Sequence, residues 1–279
     1  MVNRAKCEKY DLSKLKILSV EIGDDCNLKH LHKKCPINHI HRSESEAKLT
    51  TADILRIIDD AVDLKFEGYI AFHQYNEPLL YIDKIEQVIK KRPDQKYLLW
   101  SNGLLIPEVE KAGYSLNMFS KMVLTCYDPQ KASFYSDIKD RFPDVEIIML
   151  KRMDDRLDVY DDTYKNPIFC KKVFFELPIN CYGEVFLCCH DWKGTYLLGN
   201  VLCSSLESVV KGERYQNLLS MSHKRRINKN APPICRRCRY AFSKYHEGDN
   251  ISSLNLRYRS FADRVKLRAH RMITTVLGD

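Results

Sequence analysis

The sequence lacks the features that would direct the chain into or across a membrane. Its 279 residues contain no run of about eighteen apolar residues, the length that a membrane span requires. The N-terminal stretch MVNRAKCEKYDLSKLK is too polar to form the apolar core of a signal peptide. Internal repeats and low-complexity segments are also missing. With a hydrophobic content of 44%, the sequence predicts a soluble, cytoplasmic protein with one large domain, alone or with a smaller one attached.

The predicted compartment determines how the eleven cysteines are interpreted. Reducing conditions disfavour disulfides, so thiolates that bind metal are expected instead, together with a few ordinary buried cysteines. Zinc and iron–sulfur clusters are the two candidates.

The net charge of +8 is concentrated in KRR at 224–226, in RRCR at 236–239 and in the last thirty residues. An aromatic-rich RNA-binding signature is lacking beside these clusters, so no specific nucleic-acid partner is predicted. Residues 246–279 are predicted to form a basic amphipathic helix. We expect this helix to pack on the main body, and peripheral contact with anionic lipid is the alternative.

Short apolar runs alternate with amphipathic segments through most of the chain. This alternation predicts parallel βα units in an open or partial (βα) barrel of the α/β class, with ligands at the carboxyl ends of the strands. Polar clusters follow the predicted strands: GDDCN, HQYNEP, SNG, CYDP and KRMDD. The predicted strands lie at 16–22, 69–73, 97–101, 121–126 and 145–150, and the predicted helices at 49–68, 81–91, 107–113 and 130–140.

After residue 165 the alternation stops, cysteines become frequent, and CYGEVFLCC predicts a hairpin that turns at Gly183. We therefore predict a barrel over residues 1–165, a small α+β domain over 166–245 and the basic helix over 246–279.

The strongest indication of a metal site in the sequence comes from four cysteines in residues 166–245. Cys170 and Cys188 flank the hairpin, and Cys235 and Cys238 have C-x2-C spacing. Four thiolates suit tetrahedral zinc or a 4Fe-4S cluster, and the number of ligands does not separate them. Cys189 or His190 are alternatives to Cys188.

Several segments, in order, resemble the radical SAM enzymes that carry a twitch or SPASM-like auxiliary-cluster domain. They are EIGDDCN followed by CP, FHQYNEPLL, WSNGLL, LTCYDP, C-x12-G-x4-C, LGNV, SLESV and the final C-x2-C. The resemblance covers residues 15–243. It implies S-adenosyl-L-methionine (SAM), a SAM-binding 4Fe-4S cluster, one auxiliary 4Fe-4S cluster and a flavodoxin- or ferredoxin-like electron donor.

The loop CNLKHLHKKCPINH at 26–39 departs from the family's C-x3-C-x2-C pattern, because only Cys26 and Cys35 are cysteines. His32 lies at the C-x2-C interval from Cys35, so the resemblance implies a C-x5-H-x2-C site. His30, at the first interval from Cys26, is the alternative histidine. A neutral imidazole makes a cluster less negative and raises its reduction potential.

Other interpretations of this loop remain open. The two histidines can be solvated loop residues, with Cys7 or Asp25 as the third ligand. The loop can also bind zinc, or the domain can have lost the cluster and kept the fold.

The resemblance also implies a cofactor-binding set. Glu77 matches the acid that binds the methionine amino group, and Gln74 and Asn76 replace glycines of the same segment. Ser101 and Asn102 match positions near the ribose and the carboxylate.

Candidate catalytic residues follow the fourth and fifth predicted strands. Arg152 is expected to hold a carboxylate or an anionic substrate. Cys126 is expected to face the cavity as a hydrogen-atom donor, unless it is a buried filler residue. Asp128 or Tyr127 is expected to take a proton from a substrate hydroxyl.

The function predicted from the resemblance is that of a radical SAM oxidoreductase. It would abstract a hydrogen atom from a small polar substrate (a sugar, an aminocyclitol or a nucleotide-linked sugar) and pass an electron to the auxiliary cluster. The few residues before the first predicted strand leave no room for a peptide-recognition or cobalamin domain. The alternatives are an epimerase, a peptide-modifying enzyme or a non-catalytic zinc or iron–sulfur derivative of the fold.

Overall fold

A computed structural model describes residues 12–13, 15–40, 47–150, 153–159, 171–221 and 231–238. Its strands form one sheet in the order β5-β4-β3-β2-β1-β6-β7-β8. The strands are β1 (Ile17–Val20), β2 (Tyr69–Ala71), β3 (Lys96–Ser101), β4 (Lys121–Cys126), β5 (Glu146–Met149), β6 (Glu176–Ile179), β7 (Glu184–Phe186) and β8 (Leu197–Asn200). The helices are α1 (Thr51–Asp63), α2 (Ile82–Lys91), α3 (Ile106–Lys111), α4 (Ala132–Arg141), α5 (Leu206–Lys211), α6 (Glu213–Met221) and α7 (Pro233–Arg237).

The first five strands are parallel, and a helix follows each of the first four. Helix α1 shows how the sequence specifies these units. The side chain of Thr50 accepts a hydrogen bond from the Asp53 amide, and Asp53 accepts one from the Thr50 amide, which forms a capping box. Ile54, Ile57 and Ile58 then recur on one face and are fully buried in the main core.

Side chains alternate between the two faces of the sheet, as they must along a strand. Leu18, Ile70 and Leu124 join the large core that includes the helices. The neighbouring positions form a separate small apolar cluster on the opposite, inner face. This inner cluster consists of Ile17, Ala71, Leu98, Val123 and Phe175.

The predicted α/β fold class is confirmed, and the five predicted strands agree with the structure to within a few residues. The predicted boundary at 165/166 lies outside the described residues. Beyond it the sheet continues without a break, because β6 pairs in parallel with β1 and in antiparallel with β7. The region of the second cysteine group is thus built directly onto the edge strand of the barrel.

Gly183 lies in the turn between β6 and β7, as predicted, and has a φ of 78°. A Cβ atom there would lie 2.8 Å from Asn200 Oδ1 and 2.9 Å from Leu202 Cγ. Glycine is therefore required by both the backbone conformation and the close approach of the chain after β8.

The predicted helix at 246–279 lies outside the described residues. Within the described part of the chain, no helix combines the length and the apolar character needed to cross a bilayer.

Replacing Gly183 with alanine should destabilise the protein more than the same change at Gly113. Both glycines have a left-handed φ, but a Cβ at Gly113 would meet nothing within 4 Å. Gly113→Ala should lower the free energy of unfolding by about 1–2 kcal/mol through backbone strain alone. Gly183→Ala should cost more because it adds the steric conflict, and urea unfolding measures the difference. Equal losses would contradict this account of the turn.

Candidate functional site

A cavity of about 230 Å³ opens at the carboxyl ends of the parallel strands. The 26–37 loop, the segment after β2 and the ends of β3, β4 and β5 all contribute to its wall. The polar clusters expected at the strand ends therefore surround one space, which is the predicted location of a ligand in an open parallel barrel.

Cys26, His32 and Cys35 all line this cavity. Backbone hydrogen bonds fold their loop tightly: the His32 amide donates to the Leu28 carbonyl (2.8 Å) and the Cys35 amide to the His32 carbonyl (3.0 Å). Burial raises the pKa of the Cys26 thiol to about 12. The neighbouring Cys35 contributes to this increase, which places the two sulfurs within electrostatic range of each other.

The imidazole of His32 is buried and oriented by Asp154. Its Nε2 lies 2.8 Å from the Asp154 carbonyl oxygen and 3.4 Å from Asp154 Oδ1. Because a carbonyl only accepts, Nε2 carries the proton, and Nδ1 keeps the lone pair that a metal would use. Metal-binding histidines are commonly held in this way by a backbone carbonyl or a carboxylate. His30, in contrast, is exposed, so the geometry favours His32 as the third ligand.

The alternative ligands of the loop are placed less favourably. Asp25 forms an ion pair with Lys29 at 2.6 Å, and Cys7 lies outside the described residues. Among the described residues, no three histidine, cysteine or acidic side chains converge on a position for one metal ion.

A buried guanidinium accompanies the cysteine loop. Arg156 Nη1 lies 3.7 Å from Cys35 Sγ, and the group stacks over the Tyr75 ring at 5.7 Å. Burial opposes the charge of Arg156, but Cys35 and the surrounding tyrosines and Asp154 outweigh it and raise the pKa of Arg156. Arg156 directly follows the KRMDD cluster, from which Arg152 was predicted as the anion-binding residue, and was not itself predicted. Arg152 lies outside the described residues.

Three of the predicted cofactor-binding residues form one hydrogen-bonded group. The buried Glu77 carboxylate accepts from Ser101 Oγ at 2.6 Å, from the Asn102 amide at 3.0 Å and from the Leu79 amide at 3.0 Å. Burial raises the pKa of Glu77, and these hydrogen bonds act against that increase. A carboxylate has about four acceptor sites, so one direction remains for an additional donor.

The other two predicted cofactor-binding residues differ in their environment. Asn76 stabilises its own loop: its Nδ2 donates to the Phe72 carbonyl at 3.1 Å, and its Oδ1 accepts from the Gln74 amide at 3.1 Å. The Gln74 side chain is buried at the cavity wall, and neither of its amide atoms has a partner among the described residues.

The expectation that Cys126 faces the cavity is wrong. Its side chain is fully buried in the core on the helix side of the sheet, and its Sγ donates to the Asp128 carbonyl at 3.0 Å. The adjacent residues Thr125 and Tyr127 line the cavity instead, because alternate residues of β4 face opposite sides. Asp128 does not reach the cavity wall. Its carboxylate caps the following turn by accepting from the Gln130 amide at 3.0 Å.

The second cysteine group is assembled beside the hairpin. Burial raises the pKa of Cys188 well above its usual range, and the neighbouring Cys189, Cys238 and Cys235 raise it further. Three of the four predicted ligands therefore lie near one another. Cys170, the fourth, lies outside the described residues. The Tyr75 hydroxyl donates to the Cys189 carbonyl and so connects this group to the cavity wall.

His73, which was not among the predicted site residues, also lines the cavity. Burial lowers the pKa of His73 to about 3, and the positive charges of Arg156 and Lys172 contribute. Its Nε2 lies 3.9 Å from Glu176 Oε1, whereas its buried Nδ1 has no hydrogen-bond partner among the described residues. At neutral pH this imidazole is uncharged.

Comparison with known proteins is informative for the second region and for the fold. Residues 170–239 match the SPASM model, an iron-sulfur cluster-binding domain. No curated protein matches the sequence.

Solved structures resemble the chain at low identity. BtrN in complex with AdoMet and 2-DOIA has a TM-score of 0.57 and 18% identity, over 74% of this chain and 86% of that chain. BtrN in an open conformation has a TM-score of 0.55 and 16% identity, over 81% and 92%. A histidine-tagged form of anSMEcpe with bound AdoMet has a TM-score of 0.50 and 13% identity, over 75% and 84%.

The protein therefore has the fold of the radical SAM partial barrels. Its second cysteine region, residues 170–239, is similar to the SPASM iron-sulfur cluster-binding domain. The resemblance inferred from the sequence motifs is therefore confirmed for the fold and for the second cysteine region.

His73 should make the protein sensitive to acid. In the unfolded chain a histidine takes up a proton below about pH 6.5, whereas the folded protein resists protonation of His73 down to about pH 3. The stabilisation due to the neutral form is therefore complete above the unfolded pKa and is lost as the pH falls. Relative to His73→Phe, the wild type should lose about 1.4 kcal/mol of unfolding free energy per pH unit below pH 6.5.

Urea unfolding at a series of pH values between about pH 7 and pH 5 measures this difference. His39→Phe is the matched control for replacing a histidine at an exposed position that does not line the cavity. Parallel curves for the wild type and His73→Phe would contradict the burial of a neutral imidazole.

Proposed function

We propose that this protein is a radical SAM oxidoreductase that acts on a small polar substrate. The observation that carries the proposal is the shared cavity: Cys26, His32 and Cys35 line the same space as the hydrogen-bonded group of Glu77, Ser101 and Asn102. This shared location supports a metal-ligand loop and an amino-group acceptor that act together at the carboxyl end of a barrel with the radical SAM fold.

The residues of the cavity fit the group that the fold implies. Cys26 and Cys35 would supply two thiolates to a 4Fe-4S cluster, and the available Nδ1 of His32 would supply the third ligand. Arg156, beside Cys35, would offset the negative charge of the thiolates. Cys188, Cys235 and Cys238 would hold the auxiliary cluster together with Cys170.

When bound, the 4Fe-4S cluster and SAM would supply the radical chemistry needed to remove a hydrogen atom from the substrate. The chain's own residues bind and orient. Glu77 would bind the methionine ammonium through its remaining acceptor direction. Ser101 Oγ and the Asn102 amide hold the Glu77 carboxylate in place by donating hydrogen bonds to it. The inner apolar cluster closes the barrel below the cavity and excludes water.

A cavity of this size and polarity supports a small substrate such as a sugar, an aminocyclitol or the sugar portion of a nucleotide-linked sugar. BtrN, which shares the fold, is a dehydrogenase whose structure contains AdoMet and 2-DOIA. Dehydrogenation removes two electrons in total, so the auxiliary cluster would accept the second one. A flavodoxin- or ferredoxin-like protein would supply the reducing electron that starts the reaction.

The position of Cys126 favours dehydrogenation over epimerisation. An epimerase must return a hydrogen atom to the substrate radical, and the burial of Cys126 against the helices removes it from that role. Among the described cysteines, Cys26 and Cys35 line the cavity, and both are assigned to the cluster.

Iron content should report both clusters. The protein purified anaerobically should contain about eight irons and a matching amount of sulfide, and His32→Ala should retain about four, those of the auxiliary cluster. His32→Ala should also lose SAM-dependent release of 5′-deoxyadenosine under reductant. Cys203→Ala, which changes an exposed thiol outside both groups, is the control and should retain both properties.

Zinc in place of iron, or full iron loading and full 5′-deoxyadenosine release in His32→Ala, would overturn the assignment. His32→Cys provides an independent measurement. Because it restores a negatively charged ligand, the reduction potential of the SAM-binding cluster should become more negative than that of the wild type. Potentiometric titration followed by electron paramagnetic resonance measures this shift.

A further inference from the structure

The floor of the cavity is a layer of uncharged polar and aromatic side chains. Trp100 and Thr125 lie directly above the inner apolar cluster on β3 and β4, and His73 and Gln74 follow β2. All four residues line the cavity. They are separate from the Glu77 group, whose hydrogen bonds involve none of them.

Gln74 has an unusual environment for an amide. Its side chain is only 4% exposed, yet neither Oε1 nor Nε2 forms a hydrogen bond of normal length and angle among the described residues, although the amide lies close to the Tyr75 side chain. A buried amide without partners destabilises a folded protein, so such groups normally have a binding role or a missing partner. One acceptor and two donors are therefore available to a ligand in the cavity.

His73 provides a second unpartnered group beside Gln74. Its buried Nδ1 has no partner among the described residues, and its ring contacts the Trp100 indole with a centroid separation of 5.1 Å. The indole Nε1 donates to Thr125 Oγ1 at 3.3 Å, which fixes the orientation of the indole. Fixed aromatic rings beside hydrogen-bonding groups suit a ligand with an apolar face and a polar edge.

We propose that His73 and Gln74 bind hydroxyl groups of an uncharged polyhydroxylated ring, a sugar or a cyclitol, that packs against Trp100. This inference rests on the proposed function and specifies its substrate class. It also assigns Gln74 to the substrate rather than to the SAM cofactor.

The distribution of charge supports a neutral ligand. None of the four floor residues is charged at neutral pH, because burial keeps His73 unprotonated. Arg156 is engaged with Cys35 and Tyr75 on the wall formed by the cysteine loop. None of these four residues would pair with the phosphate of a phosphorylated ring, and burying an unpaired charge is strongly unfavourable. The charges that act on His73 lie outside the floor: Arg156, Lys172 and Glu176, whose Oε1 is 3.9 Å from His73 Nε2.

Thermal unfolding with neutral ring probes tests the proposal. Myo-inositol and D-glucose, at millimolar concentrations, should each raise the unfolding temperature of the full-length, cluster-loaded protein, and glucose 6-phosphate should not. Gln74→Leu should abolish the shift and weaken binding at least about tenfold, as expected when two hydrogen bonds are lost. In the absence of a probe, Gln74→Leu should unfold at the same or a higher temperature than the wild type, because it removes an unpartnered buried amide.

His73→Phe is the second variant and should also lose the probe-dependent shift. Gln95→Leu, where the amide donates to Asp94 at a site outside the cavity, is the matched control and should retain it. Three outcomes would overturn the proposal: a Gln74→Leu protein that is strongly destabilised in the absence of probes, a shift that survives both variants, or stabilisation by the phosphorylated probe alone. Failure of both neutral probes to stabilise the wild type would overturn the substrate class.

Release of 5′-deoxyadenosine without substrate, measured on the same preparations, separates this inference from the proposed function. If the wild type releases 5′-deoxyadenosine but is not stabilised by myo-inositol or D-glucose, only the assignment of the cavity floor is wrong. If the wild type releases no 5′-deoxyadenosine, the proposed function is wrong.

Discussion

One buried carboxylate, that of Glu77, holds together three loops that are distant in the sequence. The backbone amide of Glu77 donates to the Asp25 carbonyl at 2.9 Å, which connects Glu77 to the start of the cysteine loop. Its side chain accepts from Ser101 and from the Asn102 amide at the end of β3. The Asn102 side chain in turn donates to Asn27 at 2.7 Å, so the loop is connected to β3 by a second route. A buried acid is tolerated here because three donors satisfy it, and a ligand that brings a fourth would complete the set.

The sequence predicted the parts of the structure that depend on local periodicity. The apolar runs located β1 to β5, and the position of Gly183 located the hairpin, because both reflect constraints that act within a few residues. The direction of a side chain at a strand end depends on the exact register, and a shift by one residue reverses it. This is why Cys126 was expected in the cavity, where Thr125 and Tyr127 lie instead. Arg156 was missed because it follows β5 in a segment without periodicity, where only the tertiary contact with Cys35 identifies it.

The two halves of the protein meet at Tyr75. Its ring packs with Cys35 and lies under the Arg156 guanidinium, and its hydroxyl donates to the carbonyl of Cys189 in the region that matches the SPASM model. Together with the pairing of β6 and β1, this contact gives the second cysteine group a fixed position relative to the cavity. A fixed separation is what electron transfer between two centres requires. The face of the Tyr75 ring also stabilises the buried Arg156 guanidinium, because an aromatic face attracts a cation.

Charge divides the cavity into two regions with different requirements. The wall formed by the cysteine loop combines two thiols, a hydrogen-bonded imidazole and the Arg156 cation, and a buried cation is stable only beside a compensating negative charge. The floor combines His73, Gln74, Trp100 and Thr125 without a charge, and two of these side chains have polar atoms with no hydrogen-bond partner in the described part of the chain. Selection for stability alone would remove such atoms, since an apolar residue of similar size would avoid their desolvation cost. Groups that reduce the stability of the free protein are expected where binding requires them. The floor therefore has the character of a recognition surface, and the wall that of a site for a charged inorganic group.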